Sequence, residues 1–243
     1  MIDKVRYSII DAPSVLGLRP TGVEHLPEAL KAAGLLEKLH AKYAGCVRPS
    51  LHYSHDRDKR THLLNTNPIR SFSLELATAI RDVLNNNQFP VVLGGDCSIL
   101  IGIVLSLRRC GRYGLFFIDG HADFYQPQET NMHVFDLLKV RELKIDTAAS
   151  LAVTKLLREE LAGFWIHLDA DVLDDRIMPA VDYRLGGGLG FSELSKLLRI
   201  LMSSKRAAGI SITIFNPYLD QDGSIAKNFV SSIAAGLRNV HTR

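Results

Sequence analysis

Three short stretches of the chain concentrate side chains that can hold metal ions or move protons. Val91-Val92-Leu93 runs into Gly94-Gly95-Asp96-Cys97-Ser98, Leu115 to Ile118 runs into Asp119-Gly120-His121-Ala122-Asp123, and Phe164 to Leu168 runs into Asp169-Ala170-Asp171. In an extended segment alternate side chains share a face, so Asp119, His121 and Asp123 point the same way, as do Asp169 and Asp171. Carboxylates gathered at one partly buried rim repel each other and destabilise a fold unless something positive sits among them. No Lys or Arg lies inside these motifs. Bound cations are the physical answer, and an oxygen-rich shell with an imidazole suits Mn²⁺ or a similar divalent ion. One Asp after an apolar strand is more often a helix cap or turn residue than a ligand. DxHxD and DxD together, each following an apolar strand, reverse that preference, whereas Asp174 and Asp175 read as turn residues.

The elements that must position these motifs form an alternation of short apolar runs with longer amphipathic ones, the pattern of a parallel sheet flanked by helices. The runs predict strands at Val5 to Ile10, Pro90 to Leu93, Tyr113 to Ile118, Gly163 to Leu168 and Ala208 to Phe215. Helices are predicted near Pro27 to Lys42, Phe72 to Asn86, Ser98 to Arg109, Leu151 to Leu161, Phe191 to Ser203 and Ser224 to Leu237. In an open parallel sheet ligands bind in the crevice beyond the carboxyl ends of the strands, so the three motifs should face one another there. The polar stretch from Tyr43 to Asn67, with His52, His55 and His62, reads as a long loop that can lie over a site. Gly186-Gly187-Gly188 is a turn without the context of a phosphate loop.

Composition bounds the rest. At 243 residues, 47% hydrophobic and 23% charged, the chain suits one soluble α/β domain over residues 1–243. A formal charge of +3 with no basic run interleaved with aromatics argues against nucleic acid and for a small-molecule substrate. Cys46, Cys97 and Cys110 are too scattered for a disulfide framework or a zinc knuckle, which fits the cytoplasm. The N-terminus lacks the apolar core of a signal peptide, and no apolar run approaches the ~20 residues of a membrane span.

The motifs LGGDCSILIG, FFIDGHADF with the Asn131-Met132-His133 that follows, HLDADVLDD with MPAVDYRLGGGL, and FNP resemble those of the ureohydrolase superfamily: the arginases, agmatinases and formimidoylglutamases. GLRPTGVEHLPEALKAAGL adds weaker support, and the likeness spans nearly the whole chain. The resemblance implies a three-layer α/β sandwich with a mostly parallel central sheet, as in arginase. It also implies a hydrolase that cuts a linear C–N bond of a guanidino, N-hydroxyguanidino, amidino or formimino compound with a hydroxide bridging two metal ions. By the same resemblance Asp119 and Asp169 bridge the metals, His121 and Asp171 complete one site, and Asp123 with Cys97 completes the other. Asp123 also orients the nucleophile, and His133 matches a proton-shuttling histidine. Mn²⁺ is the first metal expected, and homo-oligomers are common among such proteins.

Three departures stand against that pattern. The family usually has His where this chain has Cys97, and a thiolate there shifts preference towards Zn²⁺, Fe²⁺, Ni²⁺ or Co²⁺. The stretch between His133 and Asp169 is shorter than in typical members. The family's guanidinium-binding Glu belongs in a strand ending E-V-N-P, where this chain reads Ile214-Phe215-Asn216-Pro217. These departures keep a second reading open, a metal-binding or scaffold relative without catalysis, and a weaker third, a single-metal hydrolase of deacetylase type.

Overall fold

The computed structural model describes residues 5–50, 52–121 and 132–238. Six strands form one sheet: β1 Tyr7–Ala12, β2 Lys42–Cys46, β3 Phe89–Gly94, β4 Tyr113–Ile118, β5 Gly163–Asp169 and β6 Ala207–Thr213. Their order is β2-β1-β3-β6-β5-β4, and every pairing among them is parallel. Among the described residues seven α-helices accompany the sheet: α1 Leu26–Ala32, α2 Leu35–Leu39, α3 Thr66–Asn85, α4 Leu100–Arg108, α5 Leu137–Leu156, α6 Phe191–Ser203 and α7 Ser224–Leu237.

Alternation along the strands divides the core into two layers. Val91 and Leu93 of β3, Ile166 and Leu168 of β5, and Ile210 and Ile212 of β6 pack with residues of α1, α2, α5, α6 and α7. Val92 and Trp165 face the other way, against Phe72, Leu76 and Ile80 of α3 and Ile103 and Leu107 of α4. Covering on both faces is why the central strands read as nearly continuous apolar runs. The sheet is wholly parallel among the described residues, and the expected three layers are present. No helix of the described residues is long and apolar enough to cross a membrane.

The departures from the sequence-based elements have local causes. β2 is a mostly exposed edge strand, KYAGC, whose composition carries no apolar alternation, and it occupies the start of the stretch expected to be loop. The helix expected over 27–42 is divided by Gly34, which takes φ 90°, and α2 ends at Leu39. α3 starts at Thr66, because its first turn is polar and outside the apolar periodicity. α5 begins at Leu137, well before the expected Leu151, and is kinked at Lys144, where φ is 61°. β6 ends at Thr213 rather than Phe215, since Ile214 leaves the strand with φ 70°.

The register of β5 against β6 sets Trp165 beside Gly209, His167 beside Ser211 and Asp169 beside Thr213. A Cβ on Gly209 would lie 2.1 Å from the Trp165 ring. Gly209→Ala must therefore push that fully buried ring aside, and the expected loss is about 1–3 kcal/mol, as for other overpacked cores. Urea denaturation measures it, and an unchanged midpoint would show that the ring moves without cost.

Candidate metal centre

The strand order reverses around β3 and β6, and a parallel sheet opens a crevice at the carboxyl ends of such strands. The loop after β3 turns at once into a helix. Asp96 caps it, Oδ1 accepting from Ser98 N at 2.8 Å while Oδ2 accepts from Gly17 N at 2.7 Å. Asp96 is thus a structural carboxylate, and Cys97 beside it is the group left to face the crevice. After β4, Asp119 Oδ1 accepts from the amide of His121 at 2.6 Å. Gly120 N donates to Asp171 Oδ1 at 3.1 Å, and a Cβ on Gly120 would lie 2.5 Å from the Asp171 carbonyl oxygen. That contact draws the ends of β4 and β5 together as no larger residue would allow.

Two groups of donors result. Asp119, His121 and Asp171 bring one ligand atom each within 4.8 Å of one another, and Cys97, His167 and Asp169 do the same. In the first group His121 Nδ1 lies 2.9 Å from Asp171 Oδ2 and 3.8 Å from Asp119 Oδ1. In the second, Cys97 Sγ donates to Asp169 Oδ2 at 2.8 Å, and Thr213 Oγ1 donates to Asp169 Oδ1 at 3.2 Å. Five of the residues singled out in the sequence, Cys97, Asp119, His121, Asp169 and Asp171, therefore converge. Asp123 lies outside the described residues, and His133 is exposed ahead of α5.

The electrostatics follow from burial and like charge. Burial first, then the Asp171 and Asp119 charges, push the Asp169 carboxyl well above the usual carboxylate range. Burial and the Asp169 charge push the Cys97 thiol up in the same way. Burial alone lowers His167 to about 3, so its imidazole is neutral. Three carboxylates, a thiol and two imidazoles in this setting form a donor set that a divalent cation would satisfy by replacing protons with charge. The residues fit that group.

Sequence reasoning missed several neighbours. His167 read as one residue of an apolar strand, although its period-two relation to Asp169 puts both on one face. Tyr183 sets its ring edge-on to His121, centroids 6.3 Å apart, and lines a cleft of about 480 Å³ with Arg19, Thr21, Asp182 and Arg184. Asp182 is held by the Thr21 hydroxyl and by Asn216 Nδ2 at 2.8 Å. Ile214 is 7% exposed, packed in the core layer of α1, α2, α6 and α7, and puts no carboxylate into the crevice. His52, His55 and His62 are exposed, and Asp58 is engaged with Arg60 and Thr61 of its own turn.

Known proteins show the same arrangement of chain. The model of the arginase family matches residues 6–134 and 125–237. The arginase of Staphylococcus aureus strain COL is 23% identical over 285 residues, covering 93% of this chain and 94% of that protein. The solved arginase of Bacillus caldovelox superposes with a TM-score of 0.88 at 22% identity, over 98% of this chain and 100% of that one. Proclavaminate amidino hydrolase from Streptomyces clavuligerus gives 0.71 at 17% identity, over 97% and 91% of the two chains.

Because burial and neighbouring charge raise Asp169 and Cys97, both groups hold their protons to higher pH than a free carboxyl or thiol does in the metal-free protein. Loading a divalent ion must then expel protons, and apparent affinity must rise with pH. Calorimetric titrations in buffers of different ionisation enthalpy report that release. Binding heats independent of the buffer would show that the two groups are already ionised.

Proposed function

Because this chain belongs to the arginase family, we propose that it is a hydrolase holding two divalent ions and cleaving a linear C–N bond in a guanidino, N-hydroxyguanidino, amidino or formimino compound. The observation that carries this reading is the pair of ligand groups at the ends of neighbouring strands, each with its donor atoms within 4.8 Å. In this reading Asp119 and Asp169 would contribute to both ion sites, His121 and Asp171 would complete one set, and Cys97 and Asp123 the other. When bound, the ions supply Lewis acidity and a water acidified towards neutral pH. Asp123 orients the attacking water by a hydrogen bond, and His133 delivers a proton to the leaving amine, a task within the pKa range of imidazole. Mn²⁺ is the expected occupant by family, with Zn²⁺, Fe²⁺, Ni²⁺ or Co²⁺ favoured to the extent that the Cys97 thiolate ligates.

Ile214 shapes the choice of substrate. A cationic guanidinium has fixed N–H donors that pair best with a carboxylate in bidentate geometry. With Ile214 packed in the core, position 214 offers no carboxylate to those donors, and leaving them unpaired costs about 1–3 kcal/mol or more. Arginine and agmatine are therefore poor substrates in this reading, and N-hydroxylated or formimino groups fit better. The cleft beside Tyr183 presents Arg19, Arg184 and Asp182, charges of both signs that match a zwitterionic end. A second reading, a metal-binding relative without catalysis, is favoured by the same Ile214 together with Cys97.

Reconstitution followed by metal analysis should find close to two Mn²⁺ or Zn²⁺ per chain, and one ion or none at saturation would sink the two-metal reading. Guanidino, N-hydroxyguanidino and formimino compounds are then screened for release of urea, hydroxyurea, formamide or ammonia. Asp123→Asn should abolish turnover, and His133→Ala should lower it by ~10²-fold or more with metals retained. Loss of no activity in either variant removes that residue from the mechanism, and turnover of none of the compounds favours the non-catalytic reading. For arginine or agmatine, kcat/KM at or above ~10⁴ M⁻¹s⁻¹ would show the reasoning from Ile214 to be wrong.

A further inference from the structure

The buried imidazole of His167 has no part in the proposed mechanism, yet it stands directly below Asp169 on the same face of β5. Its ring is fixed on three sides. Phe117 stacks against it with centroids 4.9 Å apart and planes at 21°. Nδ1 lies 2.7 Å from Ser211 Oγ, and that hydroxyl also accepts from Trp165 Nε1 at 3.0 Å. Nε2 lies 3.5 Å from Thr213 Oγ1, a weak partner. Thr213 Oγ1 itself also lies 3.2 Å from Asp169 Oδ1 and 3.3 Å from the Leu168 carbonyl.

We propose that His167 Nε2 joins Cys97 Sγ and Asp169 as a third protein ligand, so that one of the two metal positions is a Cys–His–Asp seat suited to Zn²⁺ or Co²⁺ rather than to Mn²⁺. The proposal rests on the two-metal reading above and adds a ligand to it. Its geometry is near what such a seat requires. The three donor atoms lie within 4.8 Å of one another, and around a tetrahedral ion with Zn–S and Zn–N distances of about 2.3 and 2.0 Å they would stand roughly 3.3–3.6 Å apart. Cys97 Sγ and Asp169 Oδ2 stand 2.8 Å apart and would have to part by somewhat under an ångström, within reach of side-chain torsions. The support behind the ring is of the kind that ligating histidines use: in the tautomer with Nδ1 protonated, the Ser211 hydroxyl accepts its hydrogen bond, which would leave the Nε2 lone pair for the ion. Ser211 is held for this by the Trp165 indole, and the stacked Phe117 sets the plane. A seat with one thiolate and one imidazole is soft enough to discriminate against Mn²⁺, which oxygen ligands favour.

Cobalt reports both donors. The full-length protein, stripped with chelator and titrated with Co²⁺, should show a thiolate-to-cobalt charge-transfer band together with the intense visible bands of a four-coordinate ion. Cys97→Ser should abolish the charge-transfer band. His167→Asn, which keeps a polar atom near Ser211 but none at the Nε2 position, should retain that band, shift the visible bands and bind Co²⁺ at least about tenfold more weakly, the loss seen when even a group behind a ligand is removed. Circular dichroism of each metal-free variant checks that it folds. A second measurement does not depend on altering His167: X-ray absorption of His121→Ala carrying one equivalent of Zn²⁺ should show one sulfur and one imidazole. Sulfur without imidazole there, or wild-type affinity and spectrum in folded His167→Asn, overturns the added ligand while the two-metal reading stands. If the wild-type chain binds neither Co²⁺ nor Zn²⁺, both fall together.

Discussion

The arrangement of this protein depends on the repulsion among three carboxylates, Asp119, Asp169 and Asp171, that the sheet forces towards one another. Their positions are consequences of backbone geometry. Asp169 is the last residue of β5, Asp119 follows directly on β4, and Gly120 lets the two strand ends approach until its amide meets Asp171. Burial would be tolerable for a single protonated carboxyl, but the neighbouring charges act on Asp169 in the same direction as burial. A group so placed stays protonated or takes a cation, and both choices link the stability of the crevice to what occupies it.

Beneath that rim, the facing sides of β5 and β6 form a polar column within an otherwise apolar layer. Trp165 meets Ser211, Ser211 meets His167, His167 faces Thr213, and Thr213 reaches Asp169. Ser211 and Thr213 stand in register with His167 and Asp169, and the other two contacts are diagonals that advance two residues along the strands, so the column is aimed by the sheet itself. Buried polar groups of this kind are costly when left half satisfied, and here every member has a partner. Gly209 clears the space for the indole at the column's base, which ties the packing of the core to the orientation of groups at the rim.

The loops complete the crevice by long-range contacts. Asn216, just beyond β6, donates to Asp182 and to the carbonyl of Thr21, joining three segments far apart in the chain. Ile214 precedes it with a positive φ, a costly conformation for a β-branched residue. Its amide is held by the Gly95 carbonyl at 2.8 Å and its side chain by the core. The backbone at position 214 is therefore held in place from both sides, and the side chain there is apolar.

The sequence by itself determined the parallel sheet, since strands covered on both faces must be apolar throughout, and it pointed to the rim as a candidate cation site, since no Lys or Arg lies among the carboxylates of its motifs. Cys97, Asp119, His121, Asp169 and Asp171 were legible because each follows directly on an apolar strand. β2 was not legible, because a polar edge strand paired on one side has no periodicity to display, and the early start of α5 was hidden by its kink and by its mixed faces. The tertiary structure alone decided that His167 stands with Cys97 and Asp169, that Tyr183 meets His121, and that Asp96 also holds the amide of Gly17. Those facts depend on strand register and on contacts between segments tens to hundreds of residues apart, and local pattern, which reports only how a segment meets water or core, carries no information about which distant side chain it will face.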